Sequence, residues 1–285
     1  MKKTFVAIFM VATALFSATN KEVEEYISAT LKNNKSITVK NVKVISKEAI
    51  KEKDLSGWES MIVGIEVEVD RKGKKQQVKT TDMYFTKGDF LSPDIIDVKK
   101  NKSLKESLRP KPTAEYYDAE HLVAGNKDAK YKVLVFSDPL CPFCRDLVPD
   151  LIEAATKHPS KIAIYHYTFP LLFIHPSSDA IARTEIAIGS KIQKAKLLSL
   201  LYKTDVEPEE SDEEKITAKL SSELGVTVKK SDISKKEIQK AYEDEVQKAH
   251  KLFVKGTPTV YVNNELDGSK TQINKILKEL SKLKN

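Results

Sequence analysis

The chain has 285 residues, enough for about two domains, and its 40% hydrophobic and 31% charged residues are the balance of an ordinary soluble protein. The formal charge of +7 comes from lysines spread along the whole chain, with no arginine cluster and no nucleic-acid-binding motif. The surplus therefore reads as a solvated surface rather than a nucleic-acid footprint.

Met1-Lys2-Lys3-Thr4 precedes the apolar run Phe5 to Phe16, which is short for a bilayer span and is followed by Ser17-Ala18-Thr19-Asn20. Residues 1–18 read as a secretory signal peptide, with an uncleaved anchor as the alternative. Losing Lys2 and Lys3 would leave a mature charge of about +5. Export places the chain in the periplasm, an oxidising compartment.

Residues 19–98 read as a small α+β domain. Val23, Tyr26, Ile27 and Leu31 lie at helical spacing over Glu22 to Leu31. Ile37, Val39, Val42 and Val44 predict strands, and Met61, Val63, Ile65, Val67 and Val69 alternate as in a half-buried strand. After a turn at Asp70 to Lys75, Gln77 to Phe85 returns as a partner strand, and Gly88 turns the chain into a short edge strand. Residues 99–113 read as a linker, charged and weakly helical, broken by Pro110 and Pro112.

The second domain begins at Ala114. Lys132 to Phe136 is a buried strand, and a helix opens at the pair Cys141-Pro142-Phe143-Cys144, which holds both cysteines of the chain. A Cys-x-x-Cys pair fits a redox dithiol, half of a zinc site or a structural disulfide. Its place after a strand and at a helix start favours redox, because unpaired N–H groups there stabilise a thiolate at Cys141. Cys144, one turn on, is placed to attack a mixed disulfide. Zinc would need two more ligands from the scattered His121, His158, His166, His175 and His250. Pro149 should kink the helix, which runs to about Lys157. Ile162 to Phe169 is a second strand, and residues 177–252 read as a helical insertion whose first helix is capped by Ser178 or Asp179. Gly256-Thr257-Pro258-Thr259 opens a strand to Val262, an Asn263-Asn264 turn follows, and Thr271 to Leu283 is the last helix.

The segment Val135 to Arg145, together with Gly256 to Val262, resembles the periplasmic thiol:disulfide interchange proteins of the DsbC/DsbG type. The resemblance implies a cystatin-like N-terminal dimerisation domain, a helical linker and a thioredoxin-like α/β catalytic domain ending at residue 285. Within that frame Cys141 is the nucleophile and Cys144 the resolving cysteine. Thr257 and a cis-Pro258 bind extended substrate beside the dithiol, and Pro142 and Phe143 tune it. Neither metal nor cofactor is needed beyond the redox-active Cys141–Cys144 disulfide.

The implied function is isomerase or reductase on secreted proteins with disulfides or oxidised thiols, served by a membrane donor of the DsbD kind, in a homodimer without nucleic acid. Two rivals stand beside it: a dithiol oxidase fed by a quinone-linked membrane protein, and a holdase chaperone. Phe143 replaces the histidine of strong oxidases, and Thr257 replaces their valine. Both changes lead to the expectation of a less stabilised thiolate and a lower potential than in such an oxidase. Val135 stands where ordinary thioredoxins keep a buried acid. Asp138 reads as a turn or cap residue with a possible tuning role, and His166 and His175 read as structural or exposed.

Overall fold

The computed structural model describes residues 18–71 and 74–283, so the expected signal peptide lies outside the described residues, Ala18 excepted. The chain divides into two compact units, Met1–Leu108 and Arg109–Asn285.

In the first unit, helix α1 (Asn20–Lys32) starts at a capping box in which Thr19 and Glu22 satisfy each other's backbone donors. It lies on a four-stranded antiparallel sheet in the order β1 (Ile37–Ala49), β2 (Glu59–Arg71), β3 (Lys74–Lys87), β4 (Phe90–Ser92). Strand alternation turns Met61, Val63, Ile65 and Val67 of β2 to one face, where they bury against Val23 and Ile27 of α1. Each such side chain contributes at most roughly 1.5–3 kcal/mol on burial. The apolar residues from Ile37 to Val44 belong to one strand, whose pairing with β2 shifts register between Val39 and Asn41 and between Val44 and Ser46.

The linker expectation needs correction. Residues 99–108 are folded into the first unit: β5 (Ile96–Asp97) pairs with β6 (Lys102–Ser103), which leads into the one-turn helix α2 (Leu104–Ser107). The Asp94 side chain holds this hairpin, accepting from the N–H of Ile95 (2.8 Å), the hydroxyl of Ser103 (2.7 Å) and the N–H of Lys105 (3.1 Å). Lys105 also pairs with Asp82 of β3 at 2.6 Å. These half-buried polar contacts override the charged, core-poor sequence that suggested a free connection.

The second unit is built on a five-stranded sheet in the order β11-β10-β8-β9-β7. Its strands are β7 (Leu122–Ala124), β8 (Tyr131–Ser137), β9 (Ile162–Thr168), β10 (Thr259–Val262) and β11 (Glu265–Leu266). Only β8 and β9 are parallel, joined by α3 (Pro142–Lys157). One sheet face (Val133, Val135, Ile162, Ile164, Val260, Val262) packs against α3 and the last helix α9 (Thr271–Leu280). That helix ends three residues before the expected Leu283. The opposite face, rich in tyrosine and phenylalanine, packs against residues around Leu252.

Between β9 and β10 the chain forms α4 (Ser178–Ile188), α5 (Lys194–Leu201), α6 (Glu213–Leu224), α7 (Lys230–Ile233) and α8 (Lys236–Lys251). Asp212 caps α6 through its side chain. The expected cap of α4 is absent: Ser177 holds the N-cap position but its hydroxyl donates to the Pro208 carbonyl at 3.1 Å, and the Ser178 hydroxyl donates to Asp138.

Candidate active site

Cys141 is the N-cap residue of α3, its carbonyl accepting from the N–H of Cys144 and of Arg145, both at 3.0 Å. Pro142 follows at the first helical position, where a missing N–H costs nothing. The turn that presents Cys141 is tied back by its own N–H, which donates to the Asp138 carbonyl at 3.0 Å. Cys144 is fully buried, Cys141 is 4% exposed and both are free thiols, whereas Phe143 between them is 73% exposed.

The pairing of β10 with β8, Thr259 opposite Phe136, brings Thr257 and Pro258 alongside this turn, with the peptide between them cis. Sγ of Cys141 donates to the Thr257 carbonyl at 3.4 Å. Thr257, Pro258, Phe143 and Leu147 line a groove of about 480 Å³ next to the dithiol. The six residues expected at the site are therefore together.

The two sulfurs are tuned in opposite directions. Cys141 is lowered to about 5, first by the Cys144 thiol donating to it. Burial opposes this shift, while the Thr257 side chain and the N–H groups of Cys144 and Phe143 assist it. The helix start thus acts as expected, but as a lesser cause than the second cysteine. Cys144 is pushed far up, by burial first and by its bond to Cys141 next. Thr257 corrects an expectation: its side chain lowers the pKa of both sulfurs, so it favours a thiolate instead of weakening it. Thr257 Oγ1 is buried and has no other partner among the described residues, so its hydroxyl is free to donate to sulfur.

Asp138 is the pin of the loop. One carboxyl oxygen accepts from the N–H of Leu140 (2.8 Å) and the hydroxyl of Ser178 (2.7 Å), the other from the N–H of Leu171 (2.8 Å) and Nδ1 of His175 (3.0 Å). It is fully buried, and it fastens the segment before the dithiol to the start of the helical insertion. Arg145 adds a second tie, donating to the carbonyls of Pro139 and Thr204 at 2.7 Å each. Leu140 completes the link by packing among Ile181, Leu197 and Leu201. Arg145, Ser178 and His175 were not legible as site residues, because the contacts that tie the loop to the insertion span 37 to 59 positions in sequence.

His166 is buried beneath the sheet's helical face, where Nε2 meets Ser137 Oγ at 2.9 Å and Tyr202 Oη at 3.3 Å, and Nδ1 meets Glu185 at 3.1 Å. Among the described residues, no group of three or more His, Cys, Asp or Glu side chains is placed to hold a metal ion. None of the described helices is long and apolar enough to cross a membrane.

Residues 118–281 match the profile of the family described as thioredoxin. The chain is 32% identical over 173 residues to a Bacillus anthracis protein named "Probable disulfide bond formation protein D", a match covering 54% of this chain and 77% of that protein. The protein of the same name in Bacillus cereus is 33% identical over 175 residues, covering 54% and 78%. Among solved structures, oxidised BdbD from Bacillus subtilis is 17% identical with a TM-score of 0.44, covering 61% of this chain and 98% of that one.

Proposed function

The chain belongs to the thioredoxin family, and from that premise we propose that it is a thiol:disulfide oxidoreductase that donates its Cys141–Cys144 disulfide to exported proteins. The observation that carries this reading is the opposite tuning of two sulfurs one helical turn apart. A substrate thiolate attacks Sγ of Cys141, the bond to Cys144 breaks, and Cys144 leaves with the electron pair and takes up a proton. A second substrate thiolate then attacks the substrate sulfur of the mixed disulfide, and Cys141 leaves as a thiolate. The substrate loses two electrons and the dithiol gains them.

A leaving thiol of low pKa speeds the second step, and a stabilised thiolate makes the reduced protein the favoured product. With Cys141 near 5, that preference is on the order of 2 kcal/mol at neutral pH after allowing for solvent at the mouth of the site, or about 40 mV. The name of the Bacillus relatives supports the same direction. Thr257 and Pro258 would hold extended substrate backbone beside Cys141, with Phe143 offering an apolar contact in the adjoining groove. Reoxidation would fall to a quinone-linked membrane partner. In keeping with the apolar Phe5 to Phe16, the reaction is assigned outside the cytoplasm, and the first unit is assigned the dimerisation role that the DsbC/DsbG resemblance implies.

A second reading, isomerase or reductase served by a DsbD-like donor, is favoured by one observation: Phe143 gives the thiolate no positive partner. Equilibration with glutathione buffers separates donor from reductase, and recovery of activity from a substrate with scrambled disulfides separates donor from isomerase. A donor should show a potential between about −200 and −120 mV. A value near that of thioredoxin, about −270 mV, would assign the reducing direction.

A further inference from the structure

Cys144 is fully buried, yet every cycle must bring a proton to its sulfur or take one away. In ordinary thioredoxins a buried acid on the strand before the dithiol serves this need, and Val135 occupies that position here. The register of the parallel pair sets His166 of β9 directly beside Val135 of β8. Strand alternation puts Val133, Val135 and Ser137 on one face, and Ile162, Ile164 and His166 likewise. The apolar members of both rows pack in the cluster that contains Cys144 and Tyr202. The polar end of that cluster is therefore Ser137, His166 and Tyr202, with the Ser137 and Tyr202 hydroxyls 2.5 Å apart.

On its other side His166 reaches Glu185, and both line a cleft of about 650 Å³ that is separate from the groove beside Cys141. Glu185 Oε2 is buried and has no partner among the described residues, so this carboxyl has an acceptor to spare at the cleft wall.

We propose that Glu185, His166, Ser137 and Tyr202 form a proton path between this cleft and Sγ of Cys144. For delivery, Glu185 holds a proton taken from the cleft and gives it to Nδ1 of His166 as Nε2 gives its own to the hydroxyl pair, whose proton passes to the departing Cys144 thiolate; this leaves a Glu185 carboxylate beside Nδ1–H, with Nε2 an acceptor. When Cys144 attacks a mixed disulfide the same path runs in reverse: the Cys144 proton leaves towards His166, the Cys141–Cys144 bond forms, and the partner sulfur leaves with the electron pair. Tyr202 is sensitive to Cys144, whose charge is second only to burial in raising the tyrosine's pKa. The titratable groups that line the cleft with His166 include Glu185 of α4, Lys194 of α5, Asp244, Glu245 and Lys248 of α8 and His121 beside β7, while Tyr202 meets it from the end of α5. Glu185 and His166 act through the hydroxyls of Ser137 and Tyr202, and the path rests on the dithiol-exchange reading.

The test uses the reduced full-length protein mixed with glutathione disulfide. Attack by Cys141 depends on disulfide concentration, and the following attack by Cys144 does not, so the two steps separate. Tyr202→Phe and His166→Gln should each slow the second step about ten-fold or more at neutral pH, and His166→Gln should also change its pH profile. Ser137→Ala should slow it similarly and Ser137→Thr restore it, while the Cys141 step stays within about two-fold throughout. Tyr202→Phe deletes one oxygen, so it decides the matter if His166→Gln does not fold. A second step with unchanged rate and pH profile in Tyr202→Phe would overturn the path while leaving the exchange reading intact. Absence of any reaction in the unsubstituted protein would overturn the exchange reading, and the path with it.

Discussion

The carbonyl oxygen of Thr257 accepts from Sγ of Cys141 at 3.4 Å, joining residues 116 positions apart in the sequence. A carbonyl favours the protonated thiol, because it can only accept. The Thr257 hydroxyl does the opposite and lowers the Cys141 pKa. One residue thus holds both forms of the sulfur.

Thr257→Val keeps the carbonyl and removes the hydroxyl. We expect the Cys141 pKa to rise by about one unit, roughly 1.4 kcal/mol, and the redox potential to fall by about 30 mV. Thiolate absorbance against pH reads the first and glutathione equilibration the second. An unchanged pKa would mean that the hydroxyl does not face the sulfur.

Stability should depend on pH differently in the two redox forms. In the reduced protein Cys141 titrates near 5 when folded and near the free-thiol value of about 8.5 when unfolded. Its depressed folded pKa therefore stabilises the reduced form at high pH, and that contribution is lost as pH falls towards 5. The disulfide form has no thiol to ionise. The melting temperature of the reduced protein minus that of the oxidised protein should accordingly climb between about pH 5 and 8. A flat or falling difference across that range is incompatible with a stabilised thiolate.

Asp138 supplies four acceptor contacts, three of them buried, to Leu140, Ser178 and His175, and a half-buried one to Leu171. Asp138→Ala should cost about 3 kcal/mol or more, since it leaves buried donors without partners. For a unit of this size that is a drop of about 6–12 °C in Tm. Asp138→Asn, which retains an acceptor, should lose less. Calorimetry showing the alanine variant within a degree or so of the parent would remove Asp138 from its role as the loop's pin.

Much of this architecture was legible in the sequence. The alternation from Met61 to Val69 sets β2 and its buried face, and the spacing of Cys141, Pro149 and Thr257-Pro258 marks the thioredoxin-like unit around its dithiol. What stayed hidden depends on contacts between distant segments. Nothing local in Ser178, His175 or Tyr202 distinguishes them from ordinary helix and loop residues. Asp138 finds its partners only when the helical insertion folds back over the loop. Residues 99–108 misled because composition records charge but not pairing, and Asp94 and Lys105 draw that charged stretch into the first unit.

The corrected boundary is itself testable. A chain ending at Val98 lacks β6 and α2, and with them the Ser103 and Lys105 partners of Asp94 and Asp82. Residues 18–108 should unfold at a measurably higher urea concentration than residues 18–98, by about 1–3 kcal/mol in stability. Equal midpoints would return this segment to the status of a linker.

The asymmetry of the two thiols is tested most directly by the alkylation rate of the reduced protein against pH, read residue by residue by mass spectrometry. Labelling should fall almost wholly on Cys141 with a midpoint near pH 5. In Cys144→Ala, which removes the largest cause of the shift, the midpoint should move up by more than one unit. A midpoint at or above the free-thiol value of about 8.5, or faster labelling of Cys144 than of Cys141, would contradict the account.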